Sequence, residues 1–111
     1  MIAVEIKKNE QGFINGFTVS GHSGYGEHGS DIVCSAVSAL TQTALLGLIN
    51  IANIKVLYNI KDGFLSCDIP KIEDGDKMLK SCTILDTMVL GLKNIEKNYS
   101  PFVTIAILEE V

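Results

Sequence analysis

The sequence predicts an α+β domain in which two helices pack on a mostly antiparallel sheet, in the order ββαββαβ. Three observations carry this expectation. Short runs of alternating apolar and polar residues open the chain, recur in its middle and close it; an Asp62-Gly63 step separates two of those runs; and two longer segments place apolar residues at helical spacing. At 111 residues a single domain spanning 1–111 is expected, long enough for one core and too short for separate cofactor and substrate domains.

In order along the chain, Ile2, Val4 and Ile6 alternate with polar neighbours, Asn9 to Gly12 supply turn chemistry, and Phe13 to Val19 reads as a second strand, so the chain opens with a hairpin. Residues 20 to 30 form a glycine-rich loop, after which Ser30 or Asp31 can cap a helix running from about Asp31 to about Asn53. Val56 to Ile60 and Phe64 to Ile69 flank Lys61-Asp62-Gly63, an Asp-Gly hairpin signal, and Pro70 ends the second strand. Met78, Leu79, Cys82, Leu85, Met88, Val89, Leu92, Ile95 and Tyr99 then form the apolar stripe of a second helix. After Pro101, Phe102 to Leu108 reads as the last strand.

Composition narrows the function classes. A net charge of -4 with no basic cluster argues against a nucleic-acid or anionic-membrane surface. The N-terminus alternates and lacks the basic start and apolar run of a secretory signal, so the expected location is cytoplasmic. Three cysteines without paired spacing fit reduced thiols. No charge falls between Ile32 and Ile54, yet Ser35, Ser38, Thr41, Gln42, Thr43, Asn50 and Asn53 interrupt the run, which favours a deeply buried helix over a membrane span. A charge-free helix asks for burial on more than the face a sheet can cover, and a homodimer is the expected solution.

The chemistry concentrates between Gly21 and Cys34. That stretch sets a histidine at a strand end, a thiol in the first turn of a helix and a glycine-rich loop with Gly24, Gly26 and Gly29 between them. A thiol attacks as thiolate, which the amides and positive dipole end of a helix N-terminus stabilise. An imidazole can take the thiol proton and later protonate a leaving amine. Cys34 is therefore the candidate nucleophile and His22 its candidate base, while backbone amides around Cys34 are natural oxyanion donors. Cys67, on an alternating strand, and Cys82, on the second helix's stripe, read as structural, and His28 reads as a solvated loop residue.

The run Gly21-His22 through Asp31-Ile32-Val33-Cys34-Ser35-Ala36-Val37-Ser38-Ala39 resembles the signature of the bacterial ribosomal-processing cysteine proteases, and element order and length agree along the whole chain. The resemblance implies a His22 and Cys34 dyad and a homodimer. It also implies removal of a short N-terminal extension from large-subunit ribosomal protein twenty-seven, with cleavage after a hydrophobic, Phe-containing sequence. Gly21, Asp31 and Ser38 match further motif positions in supporting or substrate-binding roles. Asp31 can cap the helix or hold His22, although a carboxylate near Cys34 opposes thiolate formation; Ser38 lies one turn beyond Cys34, where it can bond beneath the site or simply pack.

Three other readings compete with this one. Gly24 to Gly29 matches the spacing G-x-G-x-x-G, but a hairpin precedes it and Leu46 to Ile54 contains no acid for a ribose, so the glycines read better as a mobile lid over a bound peptide. His22, His28 and Cys34 with Asp31 or Glu27 include zinc-ligand types without a compact zinc spacing, so neither a metal nor any other cofactor is expected. A groove that binds a ribosomal-protein peptide without cutting it is the non-enzymatic alternative.

Overall fold

A computed structural model describes residues 1–110. Its elements are β1 (Ile2–Lys8), β2 (Ile14–Ser20), α1 (Ile32–Asn50), β3 (Leu57–Lys61), β4 (Phe64–Asp68), α2 (Gly75–Asn98) and β5 (Val103–Glu109). The sheet runs β3-β4-β2-β1-β5. Neighbours pair antiparallel except β1 and β5, which are parallel from Ile2 opposite Val103 to Lys8 opposite Glu109. The expected α+β architecture and element order are therefore those of the protein.

The alternation in β1 buries Ile2, Val4 and Ile6 and leaves Glu5 in solvent, so one face of the sheet is covered and the other is wet. In β2 the pairing slips: Lys7 faces Gly16 and Lys8 faces Ile14, which leaves Asn15 as the extra residue of a bulge. Ile14 and Phe17, three apart, thereby reach the same core. Phe13, expected to begin this strand, belongs to the turn instead, where its amide and that of Gln11 donate to Asn9 Oδ1.

Along α1, Val33, Val37, Thr41, Ala44, Leu45 and Leu48 are buried, and the helix packs beside α2, whose Leu85, Met88, Val89 and Leu92 enter the same core. α1 is long and apolar enough to cross a membrane, but this buried stripe is spent on core packing and Ser35, Ser38, Gln42 and Thr43 face outward. It stops at Asn50 rather than near Asn53, because the amides of Ile51 and Ala52 both turn back to the Gly47 carbonyl and Asn53 adopts a left-handed φ of 55°. α2 starts at Gly75, ahead of its apolar stripe, because Asp74 caps it through the amides of Asp76 and Lys77. Leu79, assigned to the stripe from spacing, is 67% exposed.

Pairing of Ser20 with Phe64 brings the end of β2 beside the β3–β4 turn. The N-terminus of α1 follows from the same end of β2, so three segments distant in sequence converge there.

Candidate active site

The site begins where β2 ends. Gly21 has φ +91°, and a Cβ there would lie 2.5 Å from the Met1 carbonyl oxygen, so only glycine lets the chain leave the strand at this point. The Gly21 amide donates to the Gly63 carbonyl at 2.9 Å, tying the strand end to the β3–β4 turn. His22, exposed, rests its ring on that turn: a Cβ added at Gly63 would sit 2.8 Å from His22 Nε2. His28 stands edge-on to the His22 ring, with centroids 4.9 Å apart.

Ser23 turns inward and is 3% exposed. Its amide donates to Cys34 Sγ at 3.3 Å, while its hydroxyl donates to Asp31 Oδ2 and accepts from the Tyr25 amide at 3.1 Å. Asp31, 4% exposed, is the N-cap of α1: Oδ1 accepts from the Val33 and Cys34 amides at 2.9 and 3.0 Å, and Oδ2 from the Gly26 amide at 3.0 Å. The Ser23 hydroxyl foremost holds the Asp31 carboxyl far below the usual carboxylate range; burial opposes this, and the amides of Cys34, Gly26 and Val33 add to it. Asp31 thus caps the helix and fastens the loop, and its hydrogen bonds go to these groups rather than to His22. Of the amides around Cys34 that are natural oxyanion donors, those of Cys34 and Val33 are in this state both given to the carboxylate.

His22 and Cys34 line one cleft of about 320 Å³, together with Gly21, Asp31, Ser38 and an apolar wall that includes Ile60 and Phe64. Among the described residues no hydrogen bond joins His22 to Cys34; the thiol is held by Ser23 and the imidazole lies toward Gly63. Ser38 is exposed, one turn beyond Cys34, and its carbonyl accepts from the Thr41 hydroxyl at 3.4 Å. Gly24, Gly26 and Gly29 border the cleft in the loop. That loop is pinned at its inner half by the Ser23 and Asp31 bonds and by the Tyr25 ring, which packs edge-on against Tyr99 and Phe102 at 5.5 and 5.1 Å.

The other thiols have different surroundings. Burial, with a smaller contribution from Asp68, pushes Cys67 up to about 12, and burial followed by Asp86 raises Cys82. His28 is solvated as expected but not isolated, since its Nε2 lies 3.6 Å from Asp62 Oδ1. His22, His28 and Asp62 place one ligand atom each within 4.8 Å of one another. The metal-type residues evident in the sequence, His22 and His28 with Cys34 and Asp31 or Glu27, are a different grouping; the carboxylate that joins the two histidines comes from the β3–β4 turn. Sequence reasoning missed Ser23, Asp62 and Gly63 as site residues. Ser23 had a local signal, because a serine two residues before an amide can form a side-chain turn. Asp62 and Gly63 had none beyond their hairpin, and strand pairing alone carries them to His22.

The family whose sequence model is described as Cysteine protease Prp matches residues 1–104. The ribosomal processing cysteine protease Prp of Bacillus subtilis is 29% identical over 101 residues, covering 89% of this chain and 90% of that protein. The ribosomal processing protease Prp of S. aureus, solved with a covalently linked product peptide, superposes with a TM-score of 0.86 at 27% identity, covering 96% of this chain and 99% of the other. The same S. aureus protease solved with a substrate peptide gives a TM-score of 0.80 at 26% identity, again covering 96% and 99%.

Proposed function

The chain belongs to the cysteine protease Prp family, and from that premise we propose that Cys34 and His22 cut the N-terminal extension from bacterial large-subunit ribosomal protein twenty-seven, after a hydrophobic, Phe-containing sequence. It is a cysteine endopeptidase of ribosomal processing. The observation that carries the assignment of roles is the setting of Cys34: a half-buried thiol in the first turn of α1, its sulfur accepting the Ser23 amide, in a cleft that His22 also lines. The N–H aimed at sulfur fixes where the thiol sits in the cleft. The S. aureus structures with peptides support a peptide as the ligand of this cleft. Ile60 and Phe64 offer apolar surface to a hydrophobic segment.

In the reaction, His22 takes the Cys34 proton and the thiolate attacks the scissile carbonyl carbon, forming a C–S bond as the carbonyl electron pair moves to oxygen. The tetrahedral intermediate collapses with cleavage of the C–N bond, and the His22 imidazolium gives its proton to the leaving amine. Water then attacks the thioester while His22 takes its proton; the C–S bond breaks, the acid product leaves, and thiol and imidazole are restored. The resting separation of the two side chains requires His22 to turn from Gly63 toward Cys34 when substrate binds, and catalytic hydrogen bonds that tighten only in the complex are ordinary.

The chain acts in the cytoplasm as a homodimer in this reading. Support for the dimer comes from apolar side chains left in solvent by one chain: Ile32, Leu46 and Ile51 at α1 and the turn after it, Leu90 on α2, and Leu57, Tyr58 and Ile60 on β3. The deciding experiment incubates the protein with a synthetic peptide carrying the extension and weighs the products. A single cut after the hydrophobic sequence, absent with folded Cys34→Ala and His22→Ala proteins, is the expected result; full cleavage by either variant would refute the dyad.

A further inference from the structure

We propose that His22, His28 and Asp62 form a zinc site whose occupation switches the enzyme off by capturing its general base, a role that rests on the reading of His22 given above. The three residues come from separate places, the end of β2, the glycine-rich loop and the β3–β4 turn, yet each offers a ligand atom within 4.8 Å of the others. His28 Nε2 and Asp62 Oδ1 are already 3.6 Å apart, and the two imidazoles stand with centroids 4.9 Å apart. Ligand atoms around tetrahedral zinc lie about 3.3–3.5 Å from one another, as bond lengths near 2.0–2.2 Å require. Closing the remaining gap needs only rotation of exposed side chains, since His28 and Asp62 are 70% and 78% exposed.

The ligand set of two imidazoles and one carboxylate suits zinc, leaving its fourth position to water. The location gives the site its consequence. A neutral imidazole has one lone pair; with that pair on a metal, His22 cannot accept the Cys34 proton. The metal would also hold the ring at the β3–β4 turn, where it rests on Gly63, and away from the thiol. His28 and Asp62 then serve as a clamp that draws the base out of the reaction.

Binding is tested by calorimetric titration of zinc chloride into the Cys34→Ala protein, which lacks the nucleophilic thiol, and into the same protein carrying His28→Ala or Asp62→Asn. One zinc per chain is expected. Since partners outside the coordination sphere alone are worth roughly 10–100-fold in metal affinity, each ligand loss should weaken binding by about tenfold or more. Inhibition is tested on otherwise wild-type enzyme as the ratio of peptide cleavage with and without zinc, which should fall with zinc, recover with a chelator, and lose its zinc dependence in His28→Ala. Absence of binding to Cys34→Ala, or binding indifferent to His28→Ala, overturns the site. Zinc bound through His28 with cleavage undiminished overturns the inhibitory role. A protein that binds zinc through His28 yet never cuts the peptide leaves the site standing and refutes the assigned substrate instead.

Discussion

Replacing Gly63 by alanine tests whether the β3–β4 turn positions His22. Gly63 has φ +70°, and the new methyl carbon would lie 2.8 Å from Nε2 and 3.2 Å from Cε1 of His22, closer than a packed side chain tolerates. Two effects follow. The left-handed backbone costs a non-glycine residue about 1–2 kcal/mol, which for a chain of 111 residues lowers Tm by about 4–9 °C. The imidazole also loses its resting place against the turn, the position it has to leave before it can reach Cys34. Gly12 is the matched control: its φ is +86°, and a methyl there meets nothing within 4 Å. Gly12→Ala and Gly63→Ala should therefore lose similar stability in thermal melts, while kcat in the peptide-cleavage assay rises only in Gly63→Ala, by up to about tenfold if the position turned toward Cys34 is a minor state of about 10%. Equal kcat in the two variants, measured well below their melting temperatures, would show that the turn does not position His22.

Iodoacetamide at neutral pH should alkylate Cys34 well before Cys67 and Cys82, because burial raises the latter two and leaves little thiolate on either; peptide mapping that finds Cys67 or Cys82 modified first would contradict this. The lowered Asp31 and Asp74 carboxyls contribute stability that is full above their unfolded value near 3.9 and is lost as pH falls through their lower folded values. Urea midpoints measured from about pH 5 to pH 2 should accordingly fall less steeply for Asp31→Asn than for wild type, and parallel curves would remove Asp31 from the account. Sedimentation equilibrium at micromolar concentration should give about twice the 12.0 kDa chain mass, whereas a monomer mass unchanged by concentration would mean that the exposed apolar side chains of α1 and β3 are not an interface.

The sequence by itself determined what local chemistry controls. Alternation in β1, the Asp62-Gly63 step, the helical stripe of α2 and the capping potential of Asp31 each act within a few residues, so the order ββαββαβ and the placing of Cys34 in a first helical turn are legible in the sequence. The bulge at Asn15 is not, because a single extra residue changes which side chains face inward without leaving a compositional mark. Tertiary structure alone decided what surrounds Cys34 and His22. The Ser23 amide reaches Cys34 Sγ only because Asp31 fastens the loop, and His22 lies against Gly63 only because β2 pairs with β4 in a register that sets Ser20 opposite Phe64. Such meetings depend on strand register and chain closure over some forty residues, and these are fixed by the energy of the whole core rather than by the residues that meet.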